Sequence, residues 1–240
     1  MAPASGAARC WSAFGCGVVD MPIARIAGKL VYFAHVPKCA GTAIEHYLEA
    51  RFGSLAFKDS AFGSLEAKGR WNNSSPQHIP LDALSRLFPD DFFDASFAVV
   101  RHPIDRVASA FLFQREIEGR IAPETGFGPW LSNLCAETQK EPFLYDNHVR
   151  SCADFIPETS TVFRLEDGLQ KVVDWLDRLA GNEDGPRQIG NSNALIERLK
   201  WQDRDPVKFS LSDEERSQVH ALFAADYERF GYDPDANTRY

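Results

Sequence analysis

Nowhere in the 240 residues is there an apolar run near the roughly 18 residues that a membrane-crossing helix needs. The opening segment, MAPASGAARCWSAFGCGVVD, lacks the basic start and clean apolar stretch of a signal peptide, and it reads as a loose tail. Cysteine is sparse. Cys10, Cys16, Cys39, Cys135 and Cys152 form no CxxC pair and no metal-ligand pattern, and so odd and scattered a set fits reduced thiols better than a disulfide framework. A bridge between Cys135 and Cys152 is the one pairing left open. There is no Lys/Arg-rich run, and the formal charge is −8, which argues against broad nucleic-acid binding. An anionic ligand is still allowed, because a local cluster of basic groups and backbone amides decides that, not the total. Internal repeats and low-complexity segments are also missing. These absences lead to the expectation of a cytoplasmic protein with no transmembrane segment and no nucleic-acid partner. They do not speak to oligomeric state.

Hydrophobic residues make up 44% of the chain and aromatics 12%, enough for a sizeable core. The length suits one domain, taken as residues 29–240 after a lead-in of 1–28. Leu30 to His35 (LVYFAH) is a short apolar run of the kind buried in a parallel sheet. TAIEHYLEARFG then reads as a helix closed by Gly53, and residues 54–80 mainly as loop before the short helix LDALSRLF. SFAVV (Ser96 to Val100) is a second buried strand, followed after His102-Pro103 by a helix with Ile104, Val107 and Phe111 on one face. Residues 120–160 look helical and irregular, and TVFR (Thr161 to Arg164) is a third short strand. A helix with Leu169, Val172, Val173, Leu176 and Leu179 on one stripe follows, and residues 181–210 read as a long loop. The last helix starts at Ser212 with a Glu215 capping box and is expected to bury Val219, Leu222, Phe223 and Phe230. Strands alternating with helices imply an α/β fold: a three-layer, P-loop-like parallel sheet flanked by helices. Ligands of such sheets sit beyond the carboxyl ends of the strands.

Two segments fall there. In His35-Val36-Pro37-Lys38-Cys39-Ala40-Gly41-Thr42, a strand-to-helix turn aims free backbone N–H groups at one point, and the helix dipole adds positive character. Gly41 would let the backbone approach a ligand, Thr42 can donate a hydroxyl, and Lys38 supplies a full charge. In Val100-Arg101-His102-Pro103-Ile104-Asp105-Arg106-Val107-Ala108-Ser109, an arginine at a strand end and a serine in the second helical turn could converge on one phosphate. Taken singly, each segment has a plainer reading: an ordinary turn with a solvated lysine, or an arginine paired with an acid.

Together they are more specific. FAHVPKCAGTAIE resembles the 5′-phosphosulfate loop of the sulfotransferases that use 3′-phosphoadenosine 5′-phosphosulfate (PAPS), and FAVVRHPIDRVASAF resembles their 3′-phosphate motif. The likeness is to the branch with carbohydrate sulfotransferases and their bacterial relatives, and it extends more weakly through SSPQHIP, YDNHVRSC, VFRLEDGL and DYERFGY. It implies that Lys38, Cys39, Ala40, Gly41 and Thr42 hold the 5′-phosphosulfate, and Arg101 and Ser109 the 3′-phosphate. The implied reaction moves a sulfuryl group to an acceptor hydroxyl, that of a saccharide in the branch it resembles, leaving 3′-phosphoadenosine 5′-phosphate and using no metal. A catalytically silent nucleotide-binding scaffold of the same fold is the alternative.

A P-loop kinase is a further rival, since the first loop also resembles a Walker A motif. That motif places lysine between its last glycine and the Ser/Thr. Here Lys38 precedes Gly41 by three positions, and the strand where such enzymes keep a magnesium aspartate ends in Arg101.

The attacking hydroxyl must lose a proton, and histidine is the usual recipient near neutral pH. His46 and His220 lie in helices without motifs, His35 suits a structural hydrogen bond, and His102 suits shaping the turn. His78, in SSPQHIP, resembles in position the catalytic histidine of the carbohydrate branch, with a helix-entry role as its plainer reading. Asn147, His148 and Arg150 could line the acceptor pocket, or could belong to a helix with one polar face. Glu166 is expected to orient its neighbours at the end of the third strand. Phe57, Phe62 and Trp71 could stack on an acceptor or simply pack, and Arg187, Asn191 and Ser192 could close over the adenosine.

Overall fold

The computed structural model describes residues 20–58, 65–70, 72–190 and 210–239, with residues 62 and 199. Trp71, Asn191 and Ser192 lie outside the described residues. Five strands form one sheet: β1 (Asp20–Ile26), β2 (Lys29–Ala34), β3 (Ala56–Lys58), β4 (Ala95–Val100) and β5 (Thr161–Arg164), in the order β3-β1-β2-β4-β5. The described helices are α1 (Gly41–Phe52), α2 (Leu81–Leu87), α3 (Pro103–Glu116), α4 (Phe127–Lys140), α5 (Gln170–Ala180), α6 (Asp213–Leu222) and α7 (Ala224–Phe230).

Side chains of a strand alternate between faces, and both faces of β2 and β4 are covered. Val31, Phe33, Phe97 and Val99 point to one side, against Ile44 and Leu48 of α1 and Val172, Val173 and Leu176 of α5. Tyr32, Ala34, Ala98 and Val100 point to the other, against Ile79, Leu84 of α2, and Tyr227 and Phe230 of α7. That is why both strands read as unbroken apolar runs. A further cluster joins Val107 and Phe111 of α3 to Trp130 and Leu131 of α4 and Val219 of α6. Each such buried side chain contributes about 1.5–3 kcal/mol. Three layers result, as the alternation of elements implied.

β2-β4-β5 is parallel, with Ala34 opposite Ala98 and Val100 opposite Arg164, so three strands end at one edge. The core of the sheet is parallel as expected, but the whole sheet is mixed, because β1 runs antiparallel to both β2 and β3. Strand β1 occupies the segment taken as lead-in. Its hairpin to β2 turns on Ala27 and Gly28, with φ of 48° and 85°, the two left-handed residues of a tight β-hairpin turn. The capping box at Ser212 and Glu215 forms, but the last helix breaks at Phe223 into α6 and α7. Leu222, expected in the core, is 38% exposed because the break turns it outward. Cys135 and Cys152 are free thiols, one exposed and one buried, so no bridge joins them. Among the described residues no helix is long and apolar enough to cross a membrane.

Candidate active site

The first half of the site is the turn from β2 into α1. Lys38 and Ala40 hold left-handed backbone conformations, with φ of 68° and 65°, a strained geometry that cups the turn around a point. Among the described residues no carbonyl or side chain accepts from the amides of Ala40, Gly41 and Thr42, and α1 has no side-chain cap. Three donors at the positive end of a 12-residue helix make an anion cradle. Thr42 is exposed beside it. The Cys39 thiol is buried and donates to Pro37 O, and its amide is taken by Val36 O.

A Cβ at Gly41 would fall within the imidazole of His35, so only glycine fits beside that ring. His35 in turn bonds Glu45 of α1 through Nδ1 at 2.5 Å, with both side chains buried. This pair braces the loop from beneath, which is the structural role anticipated for His35.

The second half is built by two irregular segments. Ser75-Pro76 starts a single 3-10 turn over Pro76–His78, the proline fixing its entry. Opposite it, Tyr145, Asp146 and Asn147 are three successive left-handed residues, with φ of 52°, 55° and 64°. Asp and Asn tolerate this conformation better than most residues. The turn delivers Asp146 to His78, with Nδ1 to Oδ2 at 2.7 Å. Ser75 donates from its hydroxyl to the same oxygen at 2.6 Å and from its amide to Oδ1 at 2.6 Å. Asn147 completes the clamp by donating to His78 O at 2.8 Å.

With Nδ1–H donated to a carboxylate, the lone pair of His78 is on Nε2, which has no partner among the described residues. Burial lowers the pKa of His78 from 6.5, with Asp146 pulling partly back, so the ring is neutral at neutral pH. Burial would raise Asp146, but His78, His148 and Ser75 hold it net below the usual carboxylate range. The His78 ring lies edge-on to His35 at 5.0 Å and to His148 at 5.1 Å. Phe113 of α3 joins the halves, with its ring 3.8 Å from Lys38 Nζ and 5.4 Å from His148. Lys38, His78 and His148 therefore share one site.

Arg101 sits at the end of β4, mostly buried, and its guanidinium makes no hydrogen bond among the described residues, only an ion pair with Asp105 at 3.7 Å. Ser109, one turn beyond Asp105, is buried on the same helix. His102 shapes the turn as expected, capping α3 by accepting from Ile104 N and donating from Nε2 to Asp233 O. Glu166 also orients its neighbours, accepting from His102 N at 2.6 Å and from Tyr232 OH at 3.2 Å.

Several other residues are tied into the surrounding structure. Arg150 donates to Asn147 Oδ1 and Pro142 O, and both Asn147 and Arg150 line a cavity of about 360 Å³ with Leu134, Leu144 and Phe223. Buried Arg106 donates to the carbonyls of His148 and Arg150 and pairs with Asp226 at 3.6 Å. Asp226 accepts from Ser151, Cys152 and Ala153. Phe62 is buried under Arg70, Phe57 packs on Phe88, and Arg187 is tied to Asp177 of α5. His46 and His220 are exposed.

Sequence reasoning missed Asp146, Ser75, Phe113 and Arg106. The only signal was local: a serine three positions before His78, and an Asp-Asn pair suited to a left-handed turn before His148.

His78, Asp146 and His148 bring ligand atoms within 4.8 Å of one another, the composition of a two-histidine, one-carboxylate metal site. Both Asp146 oxygens already accept hydrogen bonds, from Ser75 and His78, so a cation there would have to share them.

A loop of free amides after β2, an arginine at the end of β4 and a carboxylate-held histidine packed on His35 suit transfer of an anionic group. No curated protein and no solved structure matches the chain. Residues 27–233 match the model of the Sulfotransferase family, and the chain belongs to that family.

Proposed function

We propose that this sulfotransferase takes the sulfuryl group of PAPS and delivers it to an acceptor hydroxyl of a saccharide by in-line displacement. The observation that carries the reading is the His78–Asp146 pair, held beside Lys38 and its loop of three amides that have no partner among the described residues. Ala40, Gly41 and Thr42 would hold the 5′-phosphosulfate with Lys38, and Arg101 with Ser109 the 3′-phosphate. The donor supplies a sulfuryl group on a phosphate leaving group. His78 Nε2 takes the acceptor's proton as the acceptor oxygen bonds to sulfur and the sulfur–phosphate oxygen bond breaks. Lys38 stabilises the charge that gathers on the departing oxygen, which favours the transition state over the ground state. Lysine and backbone donors perform this work, so no metal is required. The saccharide acceptor rests on the resemblance of SSPQHIP to the carbohydrate branch. Free thiols at Cys39, Cys135 and Cys152 fit a reducing cytoplasmic setting.

The test is turnover of PAPS with a panel of glycans, phenols and lipids, with and without a chelator. Sulfation of glycans, undiminished by chelator, is expected. Tight binding of the nucleotide product with no turnover on any acceptor would identify a silent module instead. Loss of activity with chelator and recovery with magnesium would reopen the kinase-like reading.

A further inference from the structure

Two histidines face each other in the site, yet their Nδ1 atoms meet opposite chemistry. His78 Nδ1 meets a carboxylate, whereas His148 Nδ1 lies 2.9 Å from Nε2 of Gln114, a buried side amide on α3. We infer that Gln114 is a positioning residue that fixes His148 as the Nε2–H tautomer, so that His148 gives a hydrogen bond to the transferring sulfuryl group while His78 receives the acceptor's proton. The role assigned to the sulfuryl group rests on the reading above, but the tautomer does not.

The amide's orientation follows from its surroundings. Gln114 Oε1 is buried without a partner among the described residues, while its NH2 reaches His148. Turned the other way, the amide would bury two N–H donors with no acceptor, and orphaned donors are rarer than under-used carbonyls. A donated N–H at Nδ1 requires the lone pair there, which leaves the proton on Nε2. Nε2 is directed away from Gln114, and it has no partner among the described residues. Arg106 fixes the backbone beneath the ring through the His148 carbonyl, and Phe113 packs on its face.

The neighbours favour a neutral donor here. Lys38 from the β2–α1 loop, His78 from the 76–78 turn, His35 and Asp146 are the titratable groups around His148. Burial, then His78 and Lys38, hold its pKa well below 6.5, so it is uncharged at neutral pH. An uncharged N–H adds a second donor to the equatorial sulfuryl oxygens beside Lys38 without setting another cation against it. The same tautomer prevents His148 from acting as the base, which leaves that work to His78.

Nitrogen-15 NMR of the histidine rings in the wild-type protein reads the tautomers directly. His148 should show a protonated Nε2 and a bare Nδ1, and His78 the reverse. Gln114→Glu should then invert His148, because a carboxylate accepts from Nδ1–H, and should raise its pKa. The expected kinetic effect is a fall on the order of 10²-fold in kcat, comparable to a lost oxyanion donor, with little change in nucleotide affinity. Gln114→Met, which offers neither donor nor carboxylate, should give mixed tautomers and a smaller loss. A proton on Nδ1 of His148 in the wild type overturns the inference, as does a Gln114→Glu protein with unaltered ring signals. If no acceptor is ever sulfated, the transfer reading fails, and the ring spectra still decide the role of Gln114.

Discussion

Asp146 Oδ2 lies 2.7 Å from His78 Nδ1, joining two residues 68 positions apart. The carboxylate selects the tautomer that leaves His78 Nε2 bare, and it opposes the lowering of the ring's pKa by burial. Asp146→Asn should therefore lower kcat by roughly 10²–10⁴-fold, the range of a mispositioned general base. Removing the negative charge should also move the acid limb of the kcat–pH profile to lower pH. An unchanged rate with an unshifted limb would show that His78 is not the base.

Lys38→Ala separates catalysis from binding. Charge grows on the leaving oxygen only as the bond breaks, so turnover should fall by about 10²–10³-fold. Affinity for the nucleotide product should change far less, because the amides of residues 40–42 remain. Calorimetry beside turnover at saturating PAPS checks this, and normal turnover would remove Lys38 from the mechanism.

Arg101→Ala should do the reverse. Its guanidinium has no hydrogen bond to lose among the described residues, so the fold should survive. Affinity for 3′-phosphoadenosine 5′-phosphate should weaken by about 1.5–3 kcal/mol, the range for charged hydrogen bonds. Adenosine 5′-phosphosulfate, which lacks the 3′-phosphate, should bind poorly to wild type and variant alike. Equal wild-type affinity for the two nucleotides would count against this site.

Arg106→Ala is a stability variant. It leaves Asp226 fully buried without its cation and frees the carbonyls of His148 and Arg150. Breaking such a pair costs about 3–5 kcal/mol, measurable by denaturant unfolding. A loss below about 1 kcal/mol would mean that the pair does not hold this segment.

Acid should destabilise the protein, beginning near the ordinary histidine pKa. His78 and His148 both have folded-state values lowered from 6.5, mainly by burial. Below that pH the unfolded chain binds protons that the folded chain resists, so stability falls as pH falls. Above it both states are neutral there and the contribution vanishes. Asp146, also lowered, adds stability above 3.8 that is lost as pH drops through its folded value. Tm should decline from about pH 7 to about pH 5, and a flat or rising Tm would contradict neutral, buried rings.

The three parallel strands, the helices after them and the turn from β2 into α1 were legible because their causes are local. LVYFAH and SFAVV are mostly apolar since both faces of the strands are buried; Arg101 follows β4 directly and Lys38 stands four residues after β2. β1 was not legible: its pairing depends on a two-residue hairpin and on β3, neither marked by a strong turn sequence. Leu222 misled for a similar reason, since helical periodicity cannot foresee a break at Phe223.

The sequence by itself determined the strand ends, the positive groups on them and a short list of histidines. Tertiary structure decided which histidine has a carboxylate and which an amide, because Asp146 and Gln114 reach their rings from other segments of the chain. A histidine's chemistry depends on which of its nitrogens is hydrogen-bonded and to what, and that partner is set by three-dimensional contact rather than by spacing along the chain.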